Sequence, residues 1–345
     1  MEDGIELSII VPVYNCEKYV ERCLRSICKQ TFSNFEVVVV NDGSLDNSLE
    51  KCNEIAKEDQ RIRVFSIENH GAAYARNYGL QMAQGKYIGF VDADDYIADS
   101  MYSVLMESAN KSDADVVSCD IIWFYDDATE QRHTNSLRGG YYSREDIVSQ
   151  LFPILICSPR LEIETPFTMV LKVFKNEFLK KNDIRFEDSL LAGQDFVFAT
   201  TAFYYARSFV YLKEQYLYYY YQNHSSRTHR YLPNAWQNYR LTNEYWKRLT
   251  TDCEEYDFSV QVELDRLHGL MMSMNYMFKP GSPLSAKKTI FEAVELMKNE
   301  IHPSVFSNIQ FRALQKKQYI SCKLLQARQY RLFAWLLCVY YKIKR

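Results

Sequence analysis

Short β-branched runs alternate with amphipathic segments through the first third of the chain. Leu7-Ser8-Ile9-Ile10-Val11-Pro12-Val13-Tyr14 reads as a buried strand that ends in a loop at Asn15. Tyr19, Val20, Cys23, Leu24 and Ile27 then recur at helical spacing among charged residues. Phe35 to Val40 makes a second strand, and Asn41-Asp42-Gly43-Ser44 is its terminal turn, after which Asp46 or Asn47 caps a helix through Ile55. Ile62 to Ile67 is a third strand, and Gly71 to Ala83 a helix stopped by Gly85. The apolar run from Lys86 to Val91 is a fourth strand. A helix from Asp99 to Asn110 leads to a fifth strand, Asp115 to Ile122.

Strands alternating with helices at this spacing predict right-handed βαβ units and a parallel sheet with helices on both faces. Ligands of such sheets bind beyond the carboxyl ends of the strands, where Tyr14-Asn15, Asp42 and Asp92 to Asp94 all fall. The middle of the chain is less regular. It holds a short helix with a capping signal at Ser143, a mixed apolar and basic stretch from Phe167 to Lys181, an apolar helix opened by Gly193-Gln194-Asp195, and an aromatic run from Tyr211 to Tyr221. Beyond Tyr231 helical periodicity dominates, over Ala235 to Leu249, Gln261 to Met277, Ala286 to Asn299 and a last stretch from Ser304, with Gly281-Ser282-Pro283 as the clearest break.

The fourth strand delivers three carboxylates together in Asp92-Ala93-Asp94-Asp95, a cluster that repels itself unless a cation is bound. Strand alternation would put Asp92 and Asp94 on one face and turn Asp95 away. That spacing suits one hard divalent cation, Mn²⁺ or Mg²⁺, which fills its remaining positions with phosphate oxygens and water. An acidic turn with an Asp cap is the alternative.

Composition narrows the class. With 345 residues, 47% of them apolar, the chain can fill one large or two ordinary cores. A net charge of -3 gives no global signature of nucleic-acid binding. Nine scattered cysteines without a C-x-x-C pair read as reduced, mostly buried thiols. An acidic start running into a strand lacks the features of a signal peptide, so a cytoplasmic location is expected. No apolar run reaches the ~20 residues that cross a bilayer as a helix.

Four motifs, Ile10-Val11-Pro12-Val13-Tyr14-Asn15, Val40-Asn41-Asp42-Gly43-Ser44, Ala75-Arg76-Asn77-Tyr78-Gly79 and Val91-Asp92-Ala93-Asp94-Asp95, stand in the order and approximate spacing found in family 2 glycosyltransferases, which the chain resembles. These are inverting enzymes of the GT-A fold, many of which build bacterial surface polysaccharides. The likeness covers the first ~120 residues well. It continues more loosely from Gly193-Gln194-Asp195 to His224-Ser225-Ser226-Arg227-Thr228. It implies a Rossmann-like α/β GT-A domain over residues 1–230, with a nucleotide-binding half over about 1–120 and an acceptor half over about 121–230, followed by a mainly α-helical region over 231–345.

The same resemblance implies that Pro12, Tyr14 and Asn15 form part of the nucleotide wall, with Asp42 and Arg76 near a uracil. A carboxylate can accept the imide N–H of uracil, which cytosine lacks, so Asp42 would select a UDP-sugar. The alternatives are a turn role for Asp42, packing for Tyr14, and a surface pair with Glu68 for Arg76. Asp92 is implied as a ribose or metal contact and Asp94 as the principal metal ligand, with His224 completing the metal shell and Arg227 gripping the diphosphate, unless these last two are ordinary loop residues. Asp195 is implied as the general base. Family members usually carry Glu-Asp here, and Gln194-Asp195 keeps the base while removing a neighbouring charge. The alternative for Asp195 is a cap on the helix beginning at Phe196.

The activity implied is transfer of one sugar from a UDP-sugar to a glycan hydroxyl, with a lipid-linked acceptor in capsule, exopolysaccharide or O-antigen synthesis. The Gln-x-x-Arg-Trp motif of processive synthases is absent, in keeping with single addition. A nucleotidyltransferase would show a Gly-rich basic loop after the first strand, and an Asp-nucleophile phosphatase would show Asp-x-Asp there. A catalytically inactive partner that binds UDP-sugar stays open. After Glu300 there is no Asp or Glu, while nine Lys and Arg flank or precede the run Leu332 to Tyr341. This segment reads either as a peripheral anchor on an anionic membrane, at the cytosolic face, or as a terminal helix docked on the domain.

Overall fold

The computed structural model describes residues 4–125, 129–163, 168–222, 231–279, 281, 283 and 285–343. The chain divides into two compact units, Met1–Ser149 with Thr165–Asn223, and Gln150–Glu164 with His224–Arg345.

The first unit is built on one sheet. Its strands are β1 (Leu7–Val13), β2 (Phe35–Asp42), β3 (Ile62–Ile67), β4 (Tyr87–Phe90), β5 (Tyr96–Ile97), β6 (Val116–Phe124), β7 (Glu130–His133), β8 (Gly140–Ser143), β9 (Lys172–Lys175) and β10 (Ser208–Tyr221). Their spatial order is β3-β2-β1-β4-β9-β6-β10-β5, with β7 beside β6 and β8 beside β10. The β3-β2-β1-β4 half is parallel, as the alternation of strands and helices predicts. All eight residues of β2 are buried, the expected state of a strand covered on both faces. Burying each Val side chain there contributes about 1.5–3 kcal/mol relative to leaving it in water.

The expectation of an all-parallel sheet fails beyond β4. The four-residue β9 lies antiparallel to both β4 and β6, so it separates two strands that βαβ logic would have set side by side. The aromatic run is the long β10, parallel to β6 with a register shift between Tyr211 and Tyr216.

Helices α1 (Val20–Cys28), α2 (Ser48–Glu58), α3 (Ala72–Met82) and α4 (Met101–Ser112) follow the predicted order. Helix α3 packs on β1 and β2, and close approach there requires Gly79, where a Cβ would stand 2.4 Å from Ile10 Cγ2. At Ser143 the capping signal closes the short turn α5 (Arg144–Asp146), with Ser143 Oγ accepting from the Asp146 N–H and Asp146 Oδ2 accepting from the Ser143 N–H. Helices α6 (Asn176–Lys181) and α7 (Gln194–Tyr205) complete this unit.

The second unit is helical, with α8 (Ala235–Thr250), α9 (Ser259–Phe278), α10 (Ala286–Glu300), α11 (Lys316–Gln326) and α12 (Tyr330–Ile343). Its first three helices lie within two residues of the periods read from the sequence. Helix α9 packs on α8 and α10, and α12 packs on α10, α9 and α11. The whole chain is thus an α/β core followed by helices. All nine cysteines are free thiols, and no helix among the described residues is long and apolar enough to cross a membrane.

Candidate active site

The site begins with the parallel register. Val13 pairs with Asn41 and Ile10 with Phe90, so β1, β2 and β4 end near one another and their loops open on one edge of the sheet. The Val91 N–H still donates to the Ile10 carbonyl at 3.1 Å, after which the chain leaves the ladder.

Two of these loops are stitched together. Asn15 takes a left-handed conformation, its N–H donates to Ser44 Oγ, and its Oδ1 accepts from the Leu45 N–H at 2.8 Å. Tyr14, which precedes it, is 41% exposed, so its ring is open to a ligand rather than packed in the core. Pro12 is half-buried at the end of β1.

Asp42 is buried at the end of β2. Its Oδ1 accepts from the His70 N–H at 2.8 Å and its Oδ2 from the Gly71 N–H at 2.9 Å. Gly71 is the N-cap of α3 and has a φ of 94°, a conformation that favours glycine. Asp42 therefore fixes the start of α3. Each of its oxygens keeps lone-pair capacity for a further donor.

Arg76, one turn into α3, lies at the centre. Its side chain is 8% exposed, with Nη2 2.7 Å from Asp92 Oδ1 and Nη1 3.2 Å from Asp195 Oδ1. The surface pairing with Glu68 is thereby replaced: the guanidinium points inward and spans two carboxylates from distant segments. Asn77 secures the arrangement, because its amide donates to the Phe186 carbonyl and accepts from the Phe186 N–H, each at 2.9 Å. That pair ties α3 to the segment leading into α7.

Asp195 sits in the first turn of α7, whose N-cap is Gly193 and not Asp195 itself. Its side chain keeps 44% exposure. Withdrawal from bulk water raises its pKa, the Arg76 cation opposes that rise, and the Asp92 charge adds to it. Gln194 turns its amide back to the Leu190 carbonyl.

The acidic strand end is a turn rather than a continued strand. The Asp95 N–H closes on the Asp92 carbonyl at 3.0 Å, so alternation does not set the directions of these side chains. Asp95 is nevertheless turned into the protein. It accepts from the Tyr218 hydroxyl at 2.6 Å and from the Tyr221 N–H at 2.8 Å, and the same hydroxyl accepts from the Asp92 N–H. Burial pushes the Asp95 carboxyl well above the usual carboxylate range, with Asp94 and Asp92 adding to the rise.

Asp94 is the other unsettled carboxylate. Burial and the Asp92 charge push its pKa up to about 6, while the Arg22 and Arg76 cations oppose the rise; Arg22 donates to the Asp94 backbone carbonyl at 2.6 Å and not to the carboxylate. Asp92, whose Oδ1 is held by Arg76, and Asp94 are oxygen donors of one turn, the donor chemistry that a hard divalent cation takes. Among the described residues no three His, Cys, Asp or Glu side chains group as a full metal shell. His224 and Arg227 lie outside the described residues.

Residues 8–165 match the family described as glycosyl transferase family 2. A glycosyltransferase of Escherichia coli (strain K12), YibD, is 32% identical over 243 residues, which are 67% of this chain and 66% of that protein. The chain belongs to glycosyl transferase family 2. A second glycosyltransferase relative, EpsJ of Bacillus subtilis (strain 168), is 44% identical over 126 residues, 36% of each chain. The aligned stretches thus span about one third of EpsJ and about two thirds of YibD. Residues 1–349 of S. aureus TarS, solved in complex with UDP-GlcNAc, share the fold with a TM-score of 0.68 at 20% identity, over 99% of this chain and 92% of that one. The α/β unit is accordingly a GT-A fold.

Within that family 2 framework, Arg76, Asp92 and Asp195 meet, and Asp94 lies in the same turn as Asp92. Asn77, Tyr218 and Arg22 were not singled out by sequence as parts of the site. Asn77 carried a signal, its place in the Ala75-to-Gly79 motif. Tyr218 is one of six tyrosines between Tyr211 and Tyr221, and nothing local distinguishes it.

Proposed function

We propose that this chain is an inverting, metal-dependent glycosyltransferase that moves one sugar from a UDP-sugar to a hydroxyl of a glycan acceptor, a lipid-linked oligosaccharide of surface-polysaccharide synthesis. The observation that carries the reading is the Arg76 fork, which draws the Asp92 end of the nucleotide half and Asp195 to one point.

In this reading Asp195 takes the proton from the acceptor hydroxyl. The acceptor oxygen bonds to the anomeric carbon from the side opposite UDP while the bond from that carbon to the diphosphate oxygen breaks, which inverts the centre. The raised pKa of Asp195 makes it a stronger base than an ordinary carboxylate, and Arg76 keeps it ionised and aimed. Pro12, Tyr14, Asn15 and Asp42 are assigned to the nucleotide end, and the resemblance alone assigns Arg227 to the diphosphate and His224 to the metal, since both lie outside the described residues. Asp92 and Asp94 would hold a divalent cation, which when bound would supply Lewis-acid stabilisation of the departing diphosphate.

The test is UDP release by purified protein from a panel of UDP-sugars, with Mn²⁺, Mg²⁺ or EDTA, beside Asp94→Ala and Asp195→Asn. Turnover of one donor, abolished by EDTA and by Asp94→Ala and cut by at least ~10²-fold in Asp195→Asn, is the expected result. UDP binding without turnover, even with glycan acceptors supplied, would mark a catalytically inactive partner subunit. The absence of both UDP binding and UDP release would overturn the reading.

A further inference from the structure

Helix α12 has two faces with different fates. Phe333, Ala334, Leu337 and Cys338 are buried, on the side where the helix packs against α10 and α9. Leu332, Trp335, Leu336 and Tyr340 are 44%, 53%, 39% and 36% exposed. At 100° per residue these four share one arc of the helix, opposite the buried one. The stripe is therefore not the docked side of a terminal helix; it is left over after docking.

Its surroundings are basic. Exposed Arg331 and Lys342 lie at its border on α12, and exposed Lys316 and Lys317 begin α11. The Lys317 ammonium sits 4.2 Å from the centre of the Tyr340 ring, which puts a cation directly over the apolar stripe. Residues 301–345 contain nine Lys and Arg and neither Asp nor Glu.

We propose that the α11–α12 hairpin is a docking face for an anionic lipid surface, with Leu332, Trp335, Leu336 and Tyr340 entering the interface and the surrounding Lys and Arg meeting lipid phosphates. Charge decides between occupants. A second copy presenting the same face would set like charges against each other, whereas an anionic headgroup layer neutralises them. Trp and Tyr are the side chains that accept a half-apolar, half-polar boundary. Helix α12 has 14 residues, about 21 Å of length, too short to cross a hydrocarbon layer of about 30 Å. It therefore lies in the interface. This inference stands independently of the transferase reading.

The test uses the full chain in flotation with vesicles of phosphatidylcholine alone and of phosphatidylcholine with phosphatidylglycerol. The chain is expected to float only with the anionic vesicles, and less as salt is raised. Leu332→Glu combined with Leu336→Glu is expected to lower the bound fraction at least ~tenfold without lowering the melting temperature. Brominated lipids offer a second readout: they are expected to quench the wild-type tryptophan emission but not that of Trp335→Phe. Equal flotation of the double variant, equal quenching of Trp335→Phe, or no binding to anionic vesicles at low salt would overturn the proposal. So would a wild-type dimer that the double variant dissolves while the wild type ignores vesicles, since a second copy would then be the occupant.

Discussion

Arg76 Nη1 stands 3.2 Å from Asp195 Oδ1 across 119 positions of sequence, while Nη2 of the same guanidinium holds Asp92 at 2.7 Å. The planar fork meets the two carboxylates with two separate nitrogens, a geometry that a single lysine ammonium does not reproduce. Arg76→Lys is expected to cut kcat/KM by roughly 10²-fold with little change in fold. Arg76→Gln removes the cation that restrains the Asp195 pKa, so the acidic limb of the kcat/KM profile moves to higher pH. A pH–rate profile of each variant checks this, and an unmoved limb in Arg76→Gln would detach Arg76 from proton control of Asp195.

Tyr218 serves two groups with one hydroxyl, donating to Asp95 and accepting from the Asp92 N–H. Tyr218→Phe leaves a fully buried carboxyl with one donor fewer and the Asp92 N–H without that acceptor. The expected cost is about 1–3 kcal/mol in urea unfolding, with a rise in the UDP-sugar KM. Wild-type stability in Tyr218→Phe would show that water replaces the hydroxyl.

Gly85 is required by space. A Cβ there would meet Ser8 N at 2.4 Å and the Leu7 carbonyl carbon at 2.6 Å, both backbone atoms of β1 that cannot rotate away. The Gly85 N–H also donates to Ser8 Oγ at 2.7 Å. Gly85→Ala is therefore expected to destabilise the first unit by more than about 2 kcal/mol, whereas Gly4→Ala, with nothing within 4 Å, leaves the unfolding midpoint unchanged.

Helix α9 carries two titrating groups of opposite sign, the buried Asp265 and the half-buried His268. Burial pushes Asp265 up to about 7, although the Asn243 amide donates to it at 2.9 Å, and burial lowers His268 to about 4. Between about pH 4 and 7 the folded state keeps an Asp265 proton that the unfolded chain has lost. Its stabilising contribution is full below about pH 4 and is lost as pH rises through 7. His268 behaves oppositely, contributing above about pH 6.5 and losing that contribution as pH falls to 4. Asp265→Asn is thus expected to gain about 1–3 kcal/mol over wild type at pH 8 and nothing at pH 4. Urea unfolding at both values checks it, and the same difference at each would remove Asp265 titration from the account.

The local structure was largely legible in the sequence. Strand β3 has the predicted limits, and the ends of β1, β2 and β4 fall where apolar runs meet Asn15, Asp42 and Asp92. The reason is local: an apolar β-branched run stays in the sheet until polar side chains and turn residues make leaving it favourable. That logic put Asp42, Arg76 and the acidic turn near one edge of the sheet.

Strand direction and the pairing of charges were not legible. Lys172-Val173-Phe174-Lys175 is too short to announce a strand, and its antiparallel seat between β4 and β6 depends on hydrogen-bond partners at Gly89 and Val117. Nor does any local pattern tell Tyr218 from its neighbours, since only a packed neighbour gives its hydroxyl a partner. The sequence by itself determined which side chains arrive at the ends of strands, because hydrophobic periodicity acts over a few residues. Only the tertiary structure decided that Arg76 would face Asp92 and Asp195 rather than Glu68, because a buried cation takes the carboxylates that the closed fold leaves within reach.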